Sequence, residues 1–292
     1  MTLEQLRVFV AVAERQHMTR AAEALHLSQS AVSAAITTLE GRHGAKLFHR
    51  VGRGIELTEA GGLFLIEAKA VLARAEAADL VLSELGGLKR GTLSLQASQT
   101  IASFWLPRHL VAYRHAHPGV DVRLSIGNTA QAAAAVRSGA AELGFVEAKV
   151  DDPQLVSHTL AQDQLIVVVG HEHPWAAKGS IKPKEISDSK WVLREPGSGT
   201  RSVFEQALNK FGIKPGTLRI GLELPSNESV LAAVEAGMGA AALSASAVAA
   251  GIEAGLLVHI KLPLPSRSFY VLQHAERHHS KAAEALIQTI KH

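Results

Sequence analysis

Four clusters of hydroxyl and amide side chains stand where an apolar run gives way to a helix start. They are Ser98-Gln99-Thr100, Asn128-Thr129, Glu195-Pro196-Gly197-Ser198-Gly199-Thr200-Arg201 and Ser226-Asn227-Glu228-Ser229. Such junctions gather hydroxyls and free backbone N–H groups at the positive end of a helix dipole, which suits a small anion. One junction alone is also what an ordinary helix cap looks like; the recurrence of four points to a ligand. The third is the richest, because Gly197 and Gly199 let backbone amides approach closely and Arg201 adds a charge. Glu147, just past a short apolar run, reads either as an acid facing the same ligand or as a surface carboxylate.

Covalent chemistry finds no support in these residues. Ser198 lacks the glycine two residues earlier that a hydrolase nucleophile elbow needs. Ser202 stands where a dinucleotide loop needs its third glycine, and no phosphate-binding P-loop occurs. His171-Glu172-His173 has the wrong spacing for a helical zinc pair, and Pro174 follows at once. With 15 histidines scattered along the chain, the pair His278-His279 needs no functional explanation. There is no cysteine, which excludes disulfides, thiolate metal sites and a cysteine nucleophile. The residues therefore predict no cofactor, no metal and no enzyme.

The elements that position the clusters alternate. Strands are predicted at 92–97, 120–126, 143–146, 165–169, 191–193, 219–224, 240–243 and 269–273. Helices are predicted at 104–116 and 130–138, and a last one from Lys281. This rhythm is that of a parallel α/β sheet, whose ligands sit at the carboxyl ends of the strands. At 292 residues, 47% of them hydrophobic and 20% charged, the chain can build two or three cored domains. Glu4, Arg7, Glu14 and Arg15 break any export signal. Glu235 and several glycines break the apolar stretch 230–252, so no membrane span and a cytoplasmic location are predicted.

The first 60 residues differ in character. Leu3, Leu6, Phe9, Val10 and Ala13 recur at helical spacing. Thr19 is placed to cap a second helix that turns Ala21, Ala22 and Leu25 inward. Ser28 is placed to cap a third, with Val32, Ile36 and Leu39 inward. The outward face of the third helix carries Gln29, Ser30, Ser33, Ala34 and Thr37. Gln can pair with adenine and Ser can reach base edges or phosphates, so this face suits a DNA major groove. A helical bundle with a polar outer face would show the same periodicity. Net charge is only +3, but Arg42, Lys46, Arg50 and Arg53 fall within twelve residues that contain no acid. Gly52 and Gly54 around Arg53 fit a hairpin tip, a basic wing with Arg50 and Arg53 near phosphates or a minor groove.

From 3 to 61 these residues resemble the winged helix-turn-helix of LysR-type transcriptional regulators. The match is carried by Ala21-Ala22-x-x-Leu25, Leu27-Ser28-Gln29-x-Ala31-Val32-Ser33, Ile36-x-x-Leu39-Glu40, Leu47-Phe48-x-Arg50 and Leu57-Thr58-x-Ala60-Gly61. The likeness continues more weakly to the end of the chain. It implies a winged DNA-binding domain over 1–58, and a linker and dimerisation helix over 59–88. It also implies a two-lobed effector domain like periplasmic binding proteins, with lobe 1 at 89–162 and 267–292 and lobe 2 at 163–266. The segment Pro263-x-Pro265 would return the chain to lobe 1. Leu63, Ile66, Ala70, Ala73, Ala77, Leu80 and Glu84 follow a heptad seam, and the helix is expected to end at Gly86-Gly87. The implied partners are promoter DNA, further copies of the chain as dimer or tetramer, RNA polymerase and a small anionic effector. The glycine loop at 197–199 resembles that of sulfur-assimilation and carbon-fixation regulators, which sense sulfur oxyanions, phosphorylated metabolites or carboxylates. Family members commonly have an arginine just after the serine matching Ser33. Here Ala34-Ala35 stand instead, which loosens any inference about the operator sequence. The rival readings are a solute-binding protein and a cleft enzyme.

Overall fold

The computed structural model describes residues 1–51, 54–85 and 91–291. Contacts divide the chain into two compact units, Met1–Leu88 with Ser138–Ala140, and Lys89–Arg137 with Ala141–His292. Arg53 and Gly86-Gly87 lie outside the described residues.

The first unit is helical with one hairpin: α1 (Leu3–Arg15), α2 (Met18–Leu25), α3 (Gln29–His43), β1 (Phe48–Val51), β2 (Gly54–Leu57) and α4 (Glu59–Leu85). Thr2 and Gln5 form a capping box on α1. Its buried stripe is Leu6, Val8, Phe9, Ala11, Val12 and Ala13, whereas Leu3 is exposed in the first turn. The predicted cap of α2 is corrected. His17 caps it, its Nδ1 accepting from Thr19 N–H at 3.2 Å, because the helix starts one residue before Thr19. Ser28 does cap α3, its Oγ accepting from Ala31 N–H. Ala21 and Ala22 are buried, where their small side chains let the helices cross closely. Phe9 stacks against Phe48 and Phe64, with centroids 5.4 and 4.8 Å away, and so ties helix, wing and α4 into one core. A methyl group at Gly61 would sit 2.1 Å from the Leu47 carbonyl oxygen, so only glycine lets α4 pass the wing.

Glu40 fixes the wing to α3. Its carboxylate accepts from Lys46 Nζ at 2.7 Å, Leu47 N–H at 2.9 Å and Phe48 N–H at 3.3 Å. Burial alone would push its carboxyl up, but these hydrogen bonds and the Lys46 charge outweigh it and hold it below the ordinary range. A lowered folded value contributes stability that is present above the unfolded value, near 4.5, and is lost as pH falls through the folded value. Glu40→Gln is therefore expected to lower the stability of this unit by about 1–3 kcal/mol at neutral pH. The difference from the natural chain should shrink below about pH 4 as the natural carboxylate is protonated. Urea titrations at both pH values check this; a gap that is independent of pH would refute it.

The second unit carries β3 (Gly91–Ser98), α5 (Gln99–Phe104), α6 (Leu106–Ala116), β4 (Val120–Gly127), α7 (Thr129–Ser138), β5 (Leu143–Val146) and β6 (Leu155–Gly170). It continues with α8 (Pro174–Lys178), β7 (Lys190–Arg194), α9 (Gly199–Lys210), β8 (Arg219–Leu224), α10 (Asn227–Glu235), β9 (Ala240–Ser244), α11 (Ala245–Glu253), β10 (Leu257–Ile260), β11 (Ser266–His274) and α12 (Lys281–Lys291). The helix predicted at 104–116 is split at Trp105, because Pro107 fits the first turn of a new helix but not the interior of a continuous one.

Strands follow the order β4-β3-β5-β11-β6-β9-β7-β8, with β10 beside β6. The parallel prediction holds at both ends, β3 with β4 and β5, and β7 with β8 and β9. It fails in the middle, where β6 and β11 run antiparallel to each other. The strand predicted at 165–169 is only the second half of β6. Residues 155–164 pair with β11, and 165–170 pair with β9 and β10. One long strand thus serves two half-sheets, which makes the domain two-lobed. Asp163 and Arg267, where the sequence reading changes lobe, are cross-strand partners. Among the described helices none is long and apolar enough to cross a membrane.

Candidate DNA-reading face and effector cleft

Gln29, Ser30, Ala34 and Thr37 are exposed on α3, and Ser33 is half-buried beside them. Ser28 Oγ lies 3.0 Å from Ser30 Oγ, so the cap and the exposed face share a hydroxyl pair. Thr19 is exposed on α2. Across the hairpin, His49 faces Glu56 at 3.7 Å, while Arg50 is exposed and makes no ion pair among the described residues. On α4, Leu63 and Ile66 are 65% and 60% exposed, which is unusual for large apolar side chains and leaves two of the four described seam positions open to a partner. The side chains of Ala77, Leu80 and Glu84 lie outside the described residues.

In the second unit the four polar junctions meet where the lobes face each other. Asn227, fully buried at the start of α10, is their centre. Its Oδ1 accepts from Arg194 Nη1 at 2.6 Å, its Nδ2 donates to Thr100 Oγ1 at 3.1 Å, and its backbone N–H donates to Gln99 Oε1 at 2.7 Å. Gln99 Nε2 also donates to Glu228. Arg194 is held by Glu195 through Nε and Nη2, at 2.8 and 3.0 Å, and Glu195 accepts from Asn128 Nδ2 at 3.3 Å. Ala130 N–H donates to Gly197 O across the same gap. Two chains of hydrogen bonds therefore join the lobes.

Around the start of α9 lies a cleft of about 420 Å³, lined by Thr129, Lys149, Ser198, Arg201, Ser202 and Glu205 among others. Ser198 caps α9, its Oγ accepting from Arg201 N–H. Arg201 does not bring a free charge. Its guanidinium donates to Glu205 at 2.8 Å, to Glu223, and to Arg194 O at 3.0 Å. Burial would lower its pKa, but the two acids more than offset this and raise it. Thr200 is buried, and its Oγ1 accepts from Arg267 Nη1 at 3.0 Å. Glu147 is buried rather than on the surface, with Thr129 Oγ1 donating to it at 3.4 Å.

One buried cation of the site is a residue that sequence reasoning missed. Arg267 on β11 is 4% exposed; its Nε donates to Asp163 Oδ2 at 2.7 Å, and Asp163 Oδ1 accepts from Ser244 Oγ at 2.8 Å. Among the described residues its Nη2 is buried without a hydrogen-bond partner, and so is the Ser98 hydroxyl, although Ser98 ends a strand where a cap bond was expected. Buried donors without partners are costly unless a ligand completes them. Arg267 lies between two serines just ahead of the strand predicted at 269–273, so the sequence did not mark it as buried. His171 and His173 point to separate partners, Gly255 O and Ser189 Oγ, rather than to a common ion.

A winged helix-turn-helix with an exposed polar α3, followed by a two-lobed cleft domain, defines a ligand-responsive DNA-binding protein. Residues 3–62 match the family model of the bacterial regulatory helix-turn-helix protein, lysR family, and residues 86–292 match that of the LysR substrate binding domain. The chain belongs to the LysR family and is a DNA-binding transcriptional regulator with an effector-binding domain, not an enzyme. It is 34% identical to the HTH-type transcriptional regulator YeiE of Escherichia coli (strain K12), over 96% of this chain and 94% of that one. It is 33% identical to a probable RuBisCO transcriptional regulator of Cyanophora paradoxa, over 99% and 91%. The fold resembles full-length CbnR complexed with its target DNA (TM-score 0.72, 24% identity, 100% and 99% covered). It also resembles the regulatory domain of Synechocystis PCC6803 CcmR in complex with 2-PG (TM-score 0.63, 25% identity, 69% and 96% covered).

Proposed function

We propose that this regulator binds promoter DNA as a homo-oligomer and that a small anion, taken up between the lobes, sets that binding. Gln29, Ser30, Ser33 and Thr37 read base edges, with Ser28 and Thr19 at the helix starts, while Arg50 and Arg53 meet phosphates. Two copies pair along α4 through Leu63 and Ile66, because one helix-turn-helix spans only a half-site. The observation that carries the effector reading is the buried guanidinium of Arg267, whose Nη2 lacks a partner beside Thr200 in the first turn of α9. Ser98, Gln99, Thr100, Asn128, Thr129, Glu147, Ser198, Gly199 and Arg201 frame that position. The regulatory domain of CcmR is in complex with 2-PG, which supports the uptake of a small molecule by this domain.

A gel-shift titration of the full chain on its own upstream DNA tests the reading. Sequence-preferring binding over competitor DNA is expected; its absence at moderate salt would refute the DNA role. Arg50→Ala should weaken binding to all sequences alike and reduce the slope of log affinity against log salt by about one. An unchanged slope would remove Arg50 from the phosphate contacts.

A further inference from the structure

The charges around the start of α9 do not favour every anion equally. Arg194 is matched by Glu195, Arg201 by Glu205 and Glu223, and Arg267 by Asp163. Glu147 has no such match: among the described residues it makes no ion pair, and its bond from Thr129 leaves most of its lone pairs unused. The residue is 3% exposed.

Its position is fixed by packing. A Cβ on Gly199, the first residue of α9, would lie 2.8 Å from Glu147 Oε2 and 2.5 Å from Thr129 Oγ1. The carboxylate therefore rests against the same helix turn whose next residue, Thr200, holds Arg267. Ser98 ends β3 in register with β5, where Ala97 pairs with Phe145, so the Ser98 hydroxyl and Glu147 leave the same end of one half-sheet. Two buried donors of this half of the domain lack partners among the described residues, Arg267 Nη2 and Ser98 Oγ, and the one hydrogen bond that the Glu147 carboxylate takes among them comes from Thr129 to its Oε2.

We propose that Glu147 is a specificity-determining residue, and that it selects an oxyanion which itself carries a hydrogen-bond donor, a protonated oxyanion or a hydroxy acid. An anion with only lone pairs would satisfy Arg267 and Ser98 but set one buried acceptor against another. An anion bearing O–H would donate it to Glu147 and complete all three groups. A site built to hydrogen-bond a ligand O–H rejects an isostere that lacks it by large factors. This inference rests on the effector reading above and narrows it.

Inorganic phosphate and sulfate are the deciding probes, because they share size and shape while only phosphate keeps a proton at pH ~7. Calorimetry on the full chain is expected to show phosphate bound about 100-fold more tightly than sulfate, or better. In Glu147→Gln, whose amide can donate as well as accept, sulfate should gain and the ratio should fall below about 10. Sulfate bound as tightly as phosphate by the natural chain would overturn the proposal, whether or not the variant folds. So would an unchanged ratio in the variant. If neither anion binds the natural chain, the anionic-effector reading falls, and this inference with it.

Discussion

Asp163→Ala is expected to lower the stability of the effector unit by about 3–5 kcal/mol, the range for breaking a buried ion pair by removing one partner. Asp163 and Arg267 are both buried, cross-strand neighbours on β6 and β11, and Asp163 also accepts from Ser244. Without Asp163, Arg267 keeps Thr200 but no counter-charge, and the two strands joining the lobes lose their buried ion pair. Replacing both members, as in Asp163→Leu with Arg267→Met, should restore most of the stability, since apolar pairs of similar volume often match buried ion pairs. It should at the same time abolish anion binding, because the donor beside α9 is gone. Urea unfolding of the full chain, followed by calorimetry with phosphate, separates the two effects. A cost below about 1 kcal/mol for the single variant would show that water reaches the pair.

What the sequence made legible was local. Helix spacing, caps and β-branched runs located the recognition helix, the wing and nearly all of the effector-domain strands, because each depends on neighbours a few residues away. The shift from Thr19 to His17 at α2 is a boundary error of the same local kind. What stayed illegible was pairing across long separations. Asp163 and Arg267 stand 104 residues apart, Thr100 and Asn227 127 apart, and nothing in either stretch names its partner. The antiparallel middle of the sheet was hidden for the same reason, since it follows from where β11 returns rather than from its composition. Arg201 is a different case. Its i,i+4 acid Glu205 was visible in the sequence, and that spacing on a helix already argued for an internal pair rather than a ligand contact. Glu147 shows the converse, a residue whose burial only the fold reveals.

The second large effect belongs to Asn227. It is fully buried, and its side chain serves Arg194 on its own lobe and Thr100 on the other. Asn227→Ala leaves an arginine N–H and a buried hydroxyl without partners, each costing about 1–3 kcal/mol, so a loss of roughly 2–6 kcal/mol is expected. For a unit of this size that corresponds to a melting temperature lower by roughly 4–24 °C. The direction of the functional effect follows from where the bonds run. The lost side-chain bond joins α5 to α10, where the backbone N–H of residue 227 still donates to Gln99, whereas Asn128 to Glu195 and Ala130 to Gly197 join α7 to the loop before α9, and Arg267 to Thr200 joins β11 to α9. Removing the Asn227 side chain weakens the α5–α10 edge of the cleft, which keeps only the bonds through Gln99, and leaves the other bonds intact, which favours a more open arrangement. An anion that needs both lobes must then supply the closing free energy itself, and its apparent affinity falls by the fraction of molecules still closed. Small-angle scattering should report a larger effector unit, with phosphate returning it toward the natural dimensions at higher concentration. An unchanged scattering profile together with unchanged phosphate affinity would mean that the hinge strands β6 and β11 alone set the lobe arrangement, and that Asn227 serves only packing.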